Sequence, residues 1–148
     1  MTSRARPVLI DDRLLVEELT IGLERRPRRP LMTSSYWYLR AARAASLGAG
    51  GQLSGPFLGL PPLLQRRAIA SLLQLRDDIA LPDPRRLVPA MVEVAADHPQ
   101  LNLLNLEAAS TAHLYAAEVW LSPKGAAGLL PGVLDALRVR WQVVALGG

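Results

Sequence analysis

Two adjacent carboxylates, Asp11 and Asp12, directly follow a short apolar run at Val8–Ile10. The run is typical of a buried strand, and leucines at helical spacing follow the two acids. Carboxylates in such a place can cap the next helix, because their oxygens accept the free N–H groups of its first turn. They can also bind a divalent cation, because hard cations prefer oxygen ligands. From this stretch alone both roles stay open.

Two further polar residues are expected near the same place. Ser122 ends the apolar run "EVWLS", and Glu107 lies early in the helix that precedes this run. Ligands of open parallel sheets bind beyond the carboxyl ends of the strands, so Asp11 and Ser122 are expected at such a crevice, and Glu107 could face it. The structural alternative is that Asp12 caps its helix and that the partial positive charge of a helix N-terminus stabilises the carboxylate of Glu107.

Strand-like runs alternate with helical periodicity along the whole chain, and no tight hairpin turn joins two strands. Strands are expected at 8–10, 31–33, 79–82, 118–122 and 140–146, and helices at 13–24, 34–46, 62–76, 83–97, 102–118 and 126–138. The pattern predicts an α/β layered fold, in which helices flank a central, mostly parallel sheet. With no internal repeat, residues 1–148 are expected to form a single domain.

Composition narrows the class of protein. Half of the 148 residues are hydrophobic, which excludes a disordered chain, and no apolar run is long enough to cross a bilayer. Cysteine is absent, so disulfide scaffolds and thiolate metal sites are excluded and the cytoplasm is the expected compartment. The net charge is +4, and Lys124 is the single lysine among 17 basic residues. This excess of arginine permits a nucleic-acid partner without demanding one.

The order of the motifs resembles that of PIN-domain proteins, a family that includes the VapC-type ribonuclease toxins of bacterial toxin–antitoxin pairs. The strand–Asp–helix start, the segment "TSSYWYLRAAR" and the segment "LEAASTAHLYAAEVWLS" carry this resemblance over roughly residues 8–144. It implies carboxylates that hold Mg²⁺ or Mn²⁺ and activate water against an RNA phosphodiester. It further implies a cognate antitoxin as partner, and a homodimer.

Carried over to this sequence, the resemblance assigns Asp11, Glu107 and Ser122 to catalysis. The metal ligands would be Asp11, Asp12 and Glu107. Two positions depart from the family pattern: Arg40 stands where the second helix usually has a glutamate, and Lys124 where a fourth acid often follows. With Arg43, these two cations are the candidates for contacts with RNA.

The departures leave two alternatives for the crevice. If Asp11, Asp12 and Glu107 converge while Arg40 and Lys124 point elsewhere, a metal site remains. If Arg40 reaches Asp11 or Glu107, an ion pair occupies the place of the metal and hydrolyses nothing. The guanidinium could then still hold an RNA phosphate.

Two functions therefore follow from the sequence. The first is a toxin–antitoxin-type toxin related to metal-dependent endoribonucleases, with a degenerate acidic site. The alternative is a catalytically inactive PIN-like module that binds RNA or a protein partner. A DNA-binding regulator is disfavoured because no helix-turn-helix unit is visible. Trp37 is expected in the core, and the basic loop "RRPRR" is expected to be a solvated connection, although it could contact RNA.

Overall fold

The computed structural model describes residues 5–46 and 61–147. In these residues five strands form one parallel sheet, flanked by six helices. The strands are β1 (Val8–Ile10), β2 (Leu31–Met32), β3 (Ile79–Ala80), β4 (Glu118–Leu121) and β5 (Trp141–Val143). The helices are α1 (Asp12–Thr20), α2 (Ser35–Ser46), α3 (Pro62–Leu73), α4 (Pro84–Asp97), α5 (Leu103–Tyr115) and α6 (Leu130–Ala136). The predicted α/β class with a parallel sheet is confirmed, and it is consistent with a PIN-like fold.

Strand β1 lies at the centre of the sheet, whose order is β3-β2-β1-β4-β5. It pairs with β2 through Leu9 and Met32, and with β4 through Leu9 and Val119. Since all pairs are parallel, the carboxyl ends of β1, β2 and β4 lie at one edge of the sheet. The residues that follow these strands therefore meet there.

The core has two parts, one on each face of the sheet. Val8 and Ile10 pack on one face with Leu14 and Leu72, whereas Leu9 packs on the other with a group from β2, β4 and α5. Successive side chains of a strand point to opposite faces, so a strand that is apolar at every position must be covered on both. The continuous apolar run at Val8–Ile10 reflects this double burial.

Two helices begin with a side-chain cap of the type that their sequence indicates. Asp83 accepts a hydrogen bond from the Arg85 backbone N–H at the start of α4, and Asn102 accepts one from Asn105 at the start of α5. Helix α1 ends at Thr20, before the predicted Glu24, and Gly22 follows in a left-handed conformation (φ +85°) that favours glycine. The predicted helix at 126–138 divides into a short 3-10 helix at Gly125–Ala127 and α6.

Two expectations fall largely outside the described residues. The predicted helix stop at "LGAGG" lies there, as does most of the Gly- and Pro-rich loop at 52–62. Among the residues that are described, no helix is both long and apolar enough to span a bilayer.

Candidate functional site at the carboxyl edge of the sheet

Asp11 lies fully buried where β1 ends and α1 begins. Its Oδ1 accepts a hydrogen bond from the Leu14 backbone N–H at 3.0 Å, so Asp11 is the N-cap of α1. The structural alternative assigned this cap to Asp12, which is instead the first residue of the helix. That assignment was wrong because the cap needs the extended backbone that Asp11 has (φ −77°, ψ 179°).

The second oxygen of Asp11 faces the end of β4. Its Oδ2 accepts hydrogen bonds from the Ser122 backbone N–H at 2.8 Å and from the Ser122 hydroxyl at 2.7 Å. Burial raises the pKa of Asp11, while the hydrogen bonds from Leu14 and Ser122 lower it, and the net change is upward. The carboxyl group of Asp11 thus ties two neighbouring strand ends together.

Gly125, the first residue of the short 3-10 helix, lies against the contact between Asp11 and Ser122. Its backbone N–H donates to the Ser122 hydroxyl oxygen at 3.2 Å. A Cβ atom at position 125 would collide with Oδ2 of Asp11, so only glycine fits here without a shift. The segment after β4 therefore approaches the carboxylate closely.

Glu107 is buried (3% exposed) and reaches from α5 to the start of α2. Its Oε2 accepts from the Ser35 backbone N–H at 3.0 Å, and its Oε1 from the Tyr36 N–H at 2.8 Å. The hydroxyl of Ser34 accepts from the Trp37 N–H at 3.1 Å. Glu107 and Ser34 together satisfy the first turn of α2, where free N–H groups and the helix dipole favour negative charge.

Asp11 lies at a strand end, as the sequence predicted, and Glu107 reaches from α5 toward the neighbouring strand end. Asp11 follows β1, and Glu107 binds the helix that follows the adjacent strand β2. The hydroxyl of Thr33 donates to the Ile10 carbonyl at 2.9 Å, which holds these two strand ends side by side. The catalytic roles of Asp11, Glu107 and Ser122 stay predictions.

Arg40 forms an ion pair with Asp12, and not with Asp11 or Glu107, the two partners considered from the sequence. The Arg40 Nε lies 3.4 Å from the Asp12 Oδ2, and the two side chains are 51% and 18% exposed. A pair so accessible to solvent is screened and contributes roughly 0–1 kcal/mol. Arg43 and Lys124 are exposed, on α2 and after β4. Their predicted contacts with RNA, and that of Arg40, stay predictions.

The acidic side chains of the crevice have protein partners. The oxygens of Asp11 and Glu107 accept hydrogen bonds from N–H and O–H groups of the protein, and Asp12 faces a guanidinium. In residues 5–46 and 61–147 no group of three or more histidine or acidic side chains is placed to hold a metal ion. The assignment of Asp11, Asp12 and Glu107 as ligands of Mg²⁺ or Mn²⁺ stays a prediction.

The remaining candidates divide between core and surface. Trp37 is buried, as expected, while its neighbour Tyr36 is exposed. The basic loop "RRPRR" is partly tied to the fold, because Arg26 pairs with Glu18 and Asp78, and Arg29 pairs with Glu118. Arg25, Arg26 and Arg28 are nevertheless exposed, as expected of a solvated connection, and a contact of this loop with RNA stays a prediction.

The cap at Ser34 is one of the two that the sequence offers, since a serine before a helical segment, here Ser34 or Ser35, is a common cap. Sequence reasoning missed two other features of the site, the contact of Glu107 with α2 and the close approach of Gly125. Both depend on residues far apart in the sequence.

No family model matches the sequence, and no curated protein is similar enough to match it. The fold is similar to that of a chain in the structure of VapBC-1 from nontypeable Haemophilus influenzae, with a TM-score of 0.53. The similarity covers 93% of this chain and 97% of that chain, and 12% of the aligned residues are identical. At this level of identity the comparison shows that the two chains share a fold.

Proposed function

We propose that this chain is a PIN-like protein of the toxin–antitoxin kind, which acts in the cytoplasm by binding a protein partner. In this proposal the acids of the crevice stabilise the fold and do not support metal-dependent hydrolysis of RNA. The cognate partner would be an antitoxin, and the chain itself would form a homodimer.

The fold comparison supports the class of protein. The similar chain belongs to VapBC-1, and the similarity extends over nearly the whole length of both chains. The order of motifs in this sequence resembles PIN-domain proteins independently of that comparison. Two separate lines of argument thus favour the same lineage.

One observation carries the second half of the proposal: every carboxylate oxygen of Asp11 and Glu107 accepts a hydrogen bond from the protein. A carboxylate oxygen has two lone pairs, so the two hydrogen bonds from Ser122 occupy both lone pairs of the Asp11 Oδ2, while the other three oxygens each keep one. The site would also lack Asp12, unless its ion pair with Arg40 opened. A hard cation that used the Asp11 Oδ2 or Asp12 would therefore have to displace a contact, which a preformed catalytic site does not require.

A retained metal-dependent endoribonuclease is the second candidate. It is favoured by the common location of Asp11, Ser122 and Glu107 at one edge of the sheet. Because the Arg40 side chain is half-exposed, solvent screens its pair with Asp12, and opening the pair would cost little. Arg40 and Lys124 could then contact RNA phosphates beside the site.

Thermal unfolding in Mg²⁺ or Mn²⁺, with cleavage of labelled RNA, separates the two candidates. Binding to the folded state must raise Tm by mass action. We expect no rise that depends on the carboxylates and no cleavage above background. A metal-dependent rise that is lost in both Asp11→Asn and Glu107→Gln, with cleavage lost in parallel, would instead establish the endoribonuclease.

Coexpression tests the partner. The full chain would be produced with the product of a neighbouring small open reading frame, and the two purified through a tag on one of them. We expect a stable complex whose components remain together in size exclusion, and a dimer of this chain by light scattering. Separate elution of the two proteins at micromolar concentration would contradict the toxin–antitoxin assignment.

A further inference from the structure

A polar cavity, the amino-edge cavity, lies at the edge of the sheet where the strands begin, opposite the carboxylate crevice. Its volume is about 280 Å³, and its lining includes Arg6, Arg29, Glu118, Arg138 and Arg140. A neighbouring cavity of about 460 Å³ shares Glu118, Arg138 and Arg140 and adds Trp141 and a second acid, Asp135. Since this edge lies at the amino ends of the strands, the amino-edge cavity is separate from the carboxylate crevice.

The amino-edge cavity carries an excess of positive charge. Glu118 is the acid that lines it, and its Oε2 accepts from Arg29 at 2.8 Å, from Trp120 at 2.6 Å and from Gln142 at 3.2 Å. Burial acts to raise the pKa of Glu118, but these hydrogen bonds together outweigh it and lower the pKa, so Glu118 is ionised and compensates Arg29. Within the described residues, no ion pair joins an acid to Arg6, Arg138 or Arg140.

Helix ends account for only part of this charge. The C-termini of α5 and α6 lie beside the cavity, and each carries a partial negative charge of roughly half an electron. Together they offset about one of the unpaired guanidinium groups. Arg138 also has a left-handed backbone (φ 58°), which glycine would adopt at lower cost. Attraction to the two helix C-termini therefore does not account for all three arginines, Arg6, Arg138 and Arg140.

Trp141 adds an aromatic surface to this charged site. Its indole Nε1 donates a hydrogen bond to the Asp135 carboxylate at 2.8 Å, which fixes the position of the ring. Trp141 is half-buried and lines the neighbouring cavity of about 460 Å³, beside Arg138 and Arg140. A fixed aromatic face next to arginines is the arrangement that stacks a nucleobase while its phosphate is held.

We propose that the amino-edge cavity binds the phosphate of a ribonucleotide through Arg138 and Arg140, with the base against Trp141. The guanidinium fork matches two phosphate oxygens at once. The ligand is either a free nucleotide or one residue of an RNA strand. An acidic peptide would also meet the arginines, but it would make no use of the exposed part of Trp141, whose remaining surface packs against the core. This site does not depend on the carboxylate crevice or on the partner proposed above.

Fluorescence anisotropy with a labelled oligouridylate tests the site in the full chain. We expect Arg138→Gln/Arg140→Gln to weaken binding by about tenfold or more and to reduce the slope of log K against log salt by about one unit. The matched control is Arg66→Gln/Arg67→Gln, which removes the same charge from exposed positions on α3. This control should leave affinity within about twofold of the wild type, because it removes no phosphate contact.

Adenosine monophosphate as an unlabelled competitor identifies the source of the phosphate. Displacement of the oligouridylate indicates a free or terminal nucleotide, and binding of RNA without displacement indicates an internal phosphodiester. Quenching of intrinsic fluorescence by the ligand should be lost in Trp141→Leu, while an unchanged Tm shows that this variant is folded.

Three results would overturn the proposal. The first is equal weakening by both double variants, which would show general attraction to a basic protein. The second is failure of the wild type to bind either probe. The third is displacement of the oligouridylate by polyglutamate but not by excess unlabelled RNA, which would point to an acidic protein segment instead.

Discussion

The carboxylate of Asp11 accepts both hydrogen-bond donors of Ser122, although the two residues lie 111 positions apart in the sequence. The acid ends the central strand β1, and the serine follows β4, its neighbour in the sheet. A carboxylate that resembles a metal ligand in the sequence thus has a structural task in the fold. Hydrogen bonds to a buried carboxylate contribute about 1.5–3 kcal/mol each, because they replace lost solvation.

Replacement of Gly125 by alanine tests this contact directly. The added methyl would collide with the Asp11 carboxylate and press on the Ser122 hydroxyl. We expect Gly125→Ala to lower the free energy of unfolding by about 1–3 kcal/mol, as other overpacked sites do. Urea denaturation gives the value.

Two other glycines serve as controls for that change. A Cβ at Gly128 or at Gly132 would meet nothing within 4 Å. Gly128→Ala should be neutral, and Gly132→Ala, within α6, should stabilise by up to about 1 kcal/mol. If Gly125→Ala matched either control, the close approach of position 125 to Asp11 would be disproved.

Glu107→Gln tests the cap that α5 provides for α2. The amide retains one acceptor oxygen but turns an NH₂ group toward a backbone N–H, so one buried donor loses its partner. We expect a loss of about 1–3 kcal/mol in the free energy of unfolding. Glu93→Gln, an exposed change on α4, should stay within about 0.5 kcal/mol of the wild type. Equal stability of the two variants would refute the role of Glu107 as a cap.

Arg40→Glu tests the charge reversal in the crevice. The variant places a carboxylate beside Asp12 in place of its cationic partner, so we expect a metal-dependent rise in Tm that the wild type lacks. At free Mn²⁺ about 100 times Kd, the stabilisation would be about 2.7 kcal/mol. Arg40→Gln removes the cation without adding an acid and should bind less tightly. If neither variant responds to metal, the cation at position 40 is not what keeps a divalent ion from the acids.

Stability in acid should depend on Glu118. Its pKa is lowered from 4.5 on folding, so the group contributes stability that is complete above pH 4.5 and is lost as the pH falls through the folded-state pKa. We expect the difference in unfolding free energy between wild type and Glu118→Gln to be constant at neutral pH and to shrink in acid. Urea denaturation from about pH 7 to about pH 3 measures it. A difference that stayed constant down to the lowest pH would contradict the lowered pKa.

Local features of the fold were predictable from the sequence. The strand Val8–Ile10 was predicted with its correct ends, because three apolar residues between a proline and an aspartate form a pattern that depends on no distant residue. Asp83 was predicted as a cap and Asn102 was one of two candidates, with Asn105, since a cap acts on N–H groups within three residues of itself. The parallel character of the sheet followed from the alternation of strands and helices.

The sequence by itself determined that Asp11 and Ser122 follow strands, because the positions of strands and helices along the chain follow from local hydrophobic patterns. Only the tertiary structure decided what those acids contact. Asp11 meets Ser122, Glu107 meets the first turn of α2, and Arg40 selects Asp12 over either of them. These partners lie many residues apart, and a difference of a few ångströms between a metal ligand and a helix cap arises from packing, which no local pattern encodes.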